Sequence, residues 1–157
     1  MTQAPPDNAF RQAHLPLEAL LKQHLLAVVG GDFTGALAHL AQWQPALQEH
    51  MELEETRLFP QIPEDARWAE RVYRLEHDRI AALAADYMLL VRRVAERPPQ
   101  GQARIRAASL SLLDAAHSLR HLLEHHHERE EKALAQELPL ALQRAVLQPA
   151  GASDPAR

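Results

Sequence analysis

Residues that interrupt helices are concentrated at three points of this 157-residue chain. They are Gly30-Gly31-Asp32, the pair Pro60 and Pro63, and Pro98-Pro99-Gln100-Gly101. The segments between them are rich in Ala and Leu, and aromatic residues make up only 4% of the chain, which favours helices over strands. Four helices joined by short connections predict an all-α, up-down-up-down four-helix bundle.

Capping residues and breaks also predict the helix boundaries. We expect helix one from a cap at Asp7 or Asn8 to Val29, helix two from Phe33 to Leu58, helix three from Glu64 or Asp65 to Glu96, helix four from Gly101 to Gln136, and a short helix across the bundle end from Leu140 to Leu147. Pro16 and Pro45 predict kinks in helices one and two, although Pro16 could also mark the true start of helix one. The bundle domain is predicted over residues 7–138, after a disordered arm (1–6) and before a short helix and disordered tail (139–157).

Composition and charge exclude several classes of protein. The chain has no cysteine, which excludes a disulfide scaffold, a thiol nucleophile and a cysteine-ligated iron–sulfur cluster. Its net charge is −4 with acidic and basic residues interspersed, so no nucleic-acid partner is expected. No apolar run approaches the roughly 20 residues of a membrane span, and the N-terminus lacks a signal-peptide pattern. We therefore expect a cytoplasmic protein without a membrane partner.

One motif occurs twice, as His-x3-Glu-Glu-x2-Leu. The first copy starts at His50 with Glu54 and the second at His126 with Glu130. A spacing of four places the imidazole and the carboxylate one turn apart on the same face of a helix. Two copies in one short chain suggest an internal repeat that builds a shared site.

Histidines on antiparallel neighbouring helices lie at the same height when they are equally far from the connecting turn. The midpoint of His14 and His50 is Asp32, in the turn itself. Pairing His24 with His50 moves the midpoint to Leu37, inside helix two. That offset separates the two side chains by about 15 Å in height, at about 1.5 Å per residue. His14 is therefore the better partner of His50, with His24 as its substitute.

The second pair is decided by the face of helix four. The midpoint of His77 and His126 lies next to Gly101, in the turn before this helix. Pairing His77 with His121 instead would also place the midpoint in this turn, so height does not decide between them. Residues one and two turns from His126 are mostly apolar, whereas those around His121 are polar, so His126 is predicted to face the core. We expect His121, His125 and His127 to face water.

These residues predict a buried metal site with a histidine on every helix. Its predicted ligands are His14, His50, Glu54, His77, His126 and Glu130. Burying four imidazoles and two carboxylates in an Ala/Leu core is costly without a partner, and a metal centre supplies one. Two ferrous ions exceed the charge of two glutamates, which invites a bridging oxide or hydroxide. The ligand set suits iron or another divalent mid-series metal.

Several further side chains lie near this set in the sequence. Glu55 and Glu131 are expected to face solvent or to support ligands through hydrogen bonds. His24 and His39 are level with each other, and an ordinary partly exposed pair is favoured over a second polar layer. Tyr73, one turn before the helix-three ligand, either packs in the core or approaches the metal as a hydrogen-bond donor.

The same residues resemble the hemerythrin-like (HHE cation-binding) family from about Phe10 to Leu138. The resemblance rests on His14, His50-x3-Glu54-Glu55, Leu58-Phe59-Pro60, Glu76-His77-Asp78 and His126-x3-Glu130-Glu131. It implies a four-helix bundle with a non-haem di-iron centre, two iron ions with an oxo or hydroxo bridge, that binds O2 or related ligands. Tyr73 stands where the oxygen carriers have a fifth histidine, and the second motif has a spacing of four where theirs has five. The set of four histidines and two glutamates looks more like the bacterial and regulatory members.

Two functional classes stay open at this point. The first is a di-iron protein that binds or reacts with O2, NO or peroxide, or that senses or stores iron, as a binding protein rather than a dedicated enzyme. The second is a metal-stabilised interaction or regulatory module, with a homodimer or protein partner and no redox chemistry of its own. Ferritin-type iron oxidation is disfavoured because those sites are carboxylate-rich and use Glu-x-x-His.

Overall fold

The computed structural model describes residues 8–148, which form helices and connections without a strand. The four long helices are α1 (Ala9–Val29), α2 (Phe33–Leu53), α3 (Glu70–Glu96) and α4 (Gln102–Arg129). Two short helices follow, α5 (Ala135–Glu137) and α6 (Leu140–Leu147). The all-α class is confirmed for this part of the chain. The predicted Asp7 cap, the arm over 1–6 and the tail over 149–157 lie outside the described residues.

The first helix pair begins and ends at the predicted caps. Asn8 caps α1 by accepting a hydrogen bond from the Arg11 backbone N–H at 3.0 Å. The turn after α1 contains Gly31 with a φ of 72°, a left-handed conformation that glycine adopts without steric cost. Asp32 then caps α2 by accepting from the Gly35 N–H at 2.9 Å.

Both prolines lie inside continuous helices. Pro16 and Pro45 are exposed, as are Gln12 and Ala41, the residues four positions earlier. A proline leaves the carbonyl four residues before it without its helical donor, and on an exposed face that carbonyl can bond water. Pro16 therefore does not mark the start of α1.

The start of the third helix differs from the prediction. α3 begins at Glu70 rather than at Glu64 or Asp65. The segment before it forms a turn, in which the Ala66 N–H donates to the Pro63 carbonyl at 3.1 Å. The Arg67 N–H donates to the Glu137 carboxylate at 2.7 Å, and this bond ties the connection to the end of α5. The local sequence of this segment favours a helix, but its turn and the tertiary hydrogen bond from Arg67 to Glu137 keep it outside α3.

A π-helical turn follows each of the two helices that carry the repeated motif. These turns are Glu54–Leu58 after α2 and Glu130–Leu134 after α4. Helices two and four extend about as far as predicted, and the π turns within them are features that the predicted bounds did not include. Each π turn starts at the glutamate of its motif, and π turns occur frequently at functional sites.

Each long helix packs against two others. α1 and α3 both contact α2 and α4, and α6 packs against α1, α2 and the first π turn, at one end of the long helices as expected. Among the described residues, no helix combines the length and the apolar character that crossing a membrane requires.

The apolar core consists of two clusters. Each of the four long helices, taken with any π turn that follows it, contributes to both clusters. The larger cluster includes Leu17, Leu47, Ile80 and Leu123, and the smaller one includes Phe10, Leu58, Tyr73 and Leu134. Each predicted ligand lies in the sequence between the two of these residues that belong to its own helix and π turn. The polar residues therefore form a layer between two apolar clusters.

Candidate metal centre

The six predicted ligands come together in two overlapping groups. The groups are His14, His50, Glu54 and Glu130, and Glu54, His77, His126 and Glu130. Within each group, the potential ligand atoms all lie within 4.8 Å of one another. The two motif glutamates belong to both groups, and each group adds two histidines. Each group could hold a metal ion, although their role as ligands stays a prediction.

Direct contacts link the members across the helices. His14 Nε2 lies 3.1 Å from Glu130 Oε1, and the rings of His14 and His50 are 5.2 Å apart. His50 Nε2 contacts the Glu54 carboxylate. His126 Nε2 lies 3.4 Å from Glu130 Oε1. Five of the six side chains are buried, and that of His50 is 10% exposed.

Three of the imidazoles are supported from behind by carboxylates. The Nδ1 atoms of His14, His77 and His126 lie 3.2, 2.9 and 3.2 Å from oxygens of Glu131, Glu55 and Glu76, respectively. An ionised carboxylate only accepts hydrogen bonds, so Nδ1 carries the proton in each ring. Each Nε2 then presents its lone pair to the interior, as metal-bound histidines do. The supporting role expected for Glu55 and Glu131 agrees with these contacts.

This tautomer makes the interior of the cluster electron-rich. His77 Nε2 and His126 Nε2 face each other at 3.0 Å, each with a lone pair. Within the described chain, Glu54 Oε2 and Glu130 Oε2 are buried without a hydrogen-bond partner, and His50 Nε2 and Glu54 Oε1 have none besides their contact with each other. Unpartnered buried acceptors are destabilising, and a cation is the group that satisfies all of them together. The residues therefore fit a metal ion.

The protonation states agree with this interpretation. Burial raises the pKa of the Glu130 carboxyl well above its usual range, and the neighbouring carboxylate of Glu54 raises this pKa further. Without a cation, the two glutamates must share a proton because two buried negative charges repel each other. Burial lowers the pKa values of His14 and His77, so both imidazoles are neutral, which is the metal-binding form.

The remaining histidine of α1 is bound by protein groups instead. His24 is fully buried, with Nδ1 2.7 Å from the Ala36 carbonyl oxygen and Nε2 2.7 Å from the Tyr87 hydroxyl. Both ring nitrogens therefore have partners, and His24 lies in neither of the two groups. The expectation that His24 and His39 form a partly exposed pair was wrong for His24. His14, not His24, joins the cluster.

His127 is the clearest correction on α4. It was expected to face water, as His121 and His125 do, but it is 7% exposed and stacks on His14 with ring centres 3.8 Å apart. Burial lowers the pKa of His127 to about 2, assisted by the neighbouring His14 and His126. A sequence signal was present, because Leu123 lies one turn before His127 and Leu123 is buried.

Replacing His127 by leucine should change how the stability of the metal-free protein depends on pH. His127 stays neutral when folded but is protonated in the unfolded chain below about pH 6.5, so acid favours unfolding. Above this pH His127 does not make the free energy of unfolding depend on pH. Below it, His127 lowers the free energy of unfolding by about 1.4 kcal/mol for each pH unit. We therefore expect the free energy of unfolding, measured with urea between pH 7 and 5, to change less steeply with pH in His127→Leu, with a slope that corresponds to about one proton fewer. His121→Leu, at an exposed site, should keep the wild-type slope, and equal slopes in all three proteins would contradict the assignment.

Tyr73 lies beside the cluster with an unused hydroxyl. Its side chain is fully buried, and its ring centre is 6.4 Å from that of His126 and 5.5 Å from that of Phe59. Within the described residues, the hydroxyl has no hydrogen-bond partner. Burial raises the pKa of Tyr73 above its usual range, so the group is a protonated donor. Its proposed approach to a metal-bound ligand stays a prediction.

Comparisons of the chain with protein-family models, with curated proteins and with solved structures gave no match. The resemblance to the hemerythrin-like family therefore stays a prediction from the motifs.

Proposed function

We propose that this protein is a non-haem di-iron protein of the hemerythrin-like type that binds or reacts with O2, NO or peroxide, or senses or stores iron. The observation that carries the proposal is the pair of overlapping groups, in which nitrogen atoms of four imidazoles and oxygen atoms of two shared carboxylates converge. Clustered imidazole and carboxylate donors with several unpartnered atoms are suited to mid-series metal ions.

The proposed architecture is the up-down-up-down four-helix bundle. Its support lies in contacts that run in opposite directions along neighbouring helices. On α1 and α2, His14 contacts His50, whereas His24 bonds Ala36. Between α1 and α4 with its following π turn, His14 contacts Glu130, whereas the Ser109 hydroxyl donates to the Val28 carbonyl. Both pairs of helices are therefore antiparallel, as this topology requires.

The ligands divide naturally between two ions. His14 and His50 would hold one, His77 and His126 would hold the other, and Glu54 and Glu130 would be shared. The two carboxylates would offset part of the charge of two ferrous ions, and the ions would offset the repulsion between the two carboxylates. When bound, an iron pair supplies electrons and open coordination positions for a small ligand such as O2, NO or peroxide.

The surrounding residues control orientation and access. Glu55, Glu76 and Glu131 fix three of the imidazole rings through their Nδ1 protons. A groove of about 350 Å³ between α2 and α3 is lined by Glu55 and His77 and provides an approach to the cluster. The Tyr73 hydroxyl is buried without a hydrogen-bond partner, its ring lies 6.4 Å from that of His126, and it would hydrogen-bond an incoming oxygen.

The test is to purify the protein, reconstitute it with ferrous iron and measure its bound metal. We expect about two iron ions per chain and, after oxidation, near-ultraviolet charge-transfer absorption of an oxo-bridged pair. The reduced protein should react with O2 or NO, and chelation should remove both the iron and this reactivity. A chain that retains no iron, with an unchanged fold in chelator, would contradict the proposal.

A second candidate follows from the position of the cluster. Because all four long helices contribute a histidine, metal binding would clamp them together, and the protein could act as a metal-stabilised interaction module with a homodimer or protein partner. This candidate predicts strong stabilisation by redox-inactive zinc as well as iron, and no reaction of the iron form with O2 or NO.

A further inference from the structure

A second set of histidines lies on the outer face of α4. His117, His121 and His125 follow one another at intervals of four residues, and all three are exposed. None of them belongs to the buried groups. The rings of His121 and His125 meet edge to face with centres 4.4 Å apart, and their Nε2 atoms are 3.2 Å apart.

This distance suits two ligands of one transition-metal ion. Histidine nitrogens bind such ions at about 2.0–2.1 Å, and two ligands at 90–109° around the ion are then about 2.9–3.4 Å apart. The Nε2 atoms of His121 and His125 fall within this range. Histidines at positions i and i+4 of a helix are also the arrangement that binds zinc in the His-Glu-x-x-His motif. The pair therefore needs little rearrangement to chelate an ion.

The neighbouring side chains limit the site to two histidines. The rings of His117 and His121 are stacked at 15° with centres 6.0 Å apart, so their in-plane lone pairs do not converge. Glu128, one turn after His125, is exposed, pairs with Lys132 and interacts electrostatically with His125. The remaining positions of a bound ion would be open to solvent. Such an open two-histidine site releases its ion readily.

We propose that His121 and His125 form an exposed chelating site for a divalent transition-metal ion of the zinc, copper or nickel class. Imidazole pairs favour these ions over magnesium and calcium, which prefer oxygen ligands. The site is separate from the buried cluster and does not rest on the function proposed for it. His121 also lines the groove of about 770 Å³ between α1 and α4, whereas His125 does not, so the pair lies at the edge of that groove.

The test uses zinc chloride as the probe and nuclear magnetic resonance of the imidazole nitrogens in the full-length protein. We expect the Nε2 resonances of His121 and His125 to shift together as micromolar zinc is added. Millimolar magnesium should leave them unchanged. The variants His121→Asn and His125→Asn should each weaken this response at least about tenfold. All three positions are exposed, so the variants should keep the fold, which circular dichroism checks.

The matched control is His117→Asn, one turn away on the same exposed face. It should bind zinc at the pair within about twofold of the wild type. An absence of zinc shifts at His121 and His125, an equal response to magnesium, or equal weakening by His117→Asn would overturn the proposal. Each of these outcomes is independent of iron binding by the buried cluster, which is measured separately on the same proteins.

Discussion

Replacing His126 by alanine should abolish tight iron binding. His126 Nε2 lies 3.0 Å from His77 Nε2 and 3.4 Å from Glu130 Oε1, at the centre of the second group. The substitution removes a proposed ligand atom and also leaves the Glu76 carboxylate without its imidazole partner. Loss of a supporting residue alone costs 10–100-fold in metal affinity, so we expect at least about 100-fold for the ligand itself. Iron retained after reconstitution and desalting, together with near-ultraviolet absorption, provides the measurement.

His121→Ala is the matched control for this experiment, since it removes an imidazole from the same helix at an exposed position. It should retain the iron content of the wild type after desalting, which removes ions bound at open surface sites. If His121→Ala lost more iron than His126→Ala, both the orientation of α4 and the proposed ligand set would be wrong. Circular dichroism of the metal-free variants separates loss of binding from loss of folding.

The convergence of the six side chains could be predicted because it depends on properties that a sequence contains. The helix breaks fix which residues are level on antiparallel neighbours, and this was enough to choose His14 over His24. The apolar residues one turn from His126 fix the face of α4 that turns inward. Both arguments use regular helical geometry, which holds along α1 and α4 up to the ligands.

The features that could not be predicted depend on contacts between segments. A π turn adds one residue to a helical turn, and no periodicity signals it in advance, although Glu54 and Glu130 both begin one. Leu123 signals the inward face of His127, but the stacking of His127 on the ring of His14 depends on how α1 packs against α4. The late start of α3 depends on the bond from Arg67 to Glu137, 70 residues away.

Replacing Glu130 by glutamine should have opposite effects in the metal-free and metal-bound protein. Burial and Glu54 raise the pKa of Glu130, so the folded metal-free protein keeps a proton there that the unfolded chain has lost at neutral pH. Stability is therefore lost as the pH rises above the unfolded pKa, toward the raised folded one. Glutamine is similar in shape to the protonated acid and has no proton to lose. We expect Glu130→Gln to stabilise the metal-free protein at pH 7.5 by on the order of 1–3 kcal/mol.

With metal present the sign should reverse, because Glu130 belongs to both groups of proposed ligands. A metal at 1,000 times its dissociation constant adds about 4 kcal/mol to the stability of the wild type, and the variant loses most of this gain. Urea unfolding of the wild type and of Glu130→Gln, each with chelator and with ferrous iron under nitrogen, measures the four free energies of unfolding. A structural ion-pair layer without a metal would give a variant that is less stable in chelator and unaffected by iron. If Glu130 is a metal ligand, its carboxylate lowers the free energy of unfolding of the metal-free protein and raises that of the metal-bound protein. Opposite effects of Glu130→Gln in the two conditions are therefore the result that distinguishes a metal site.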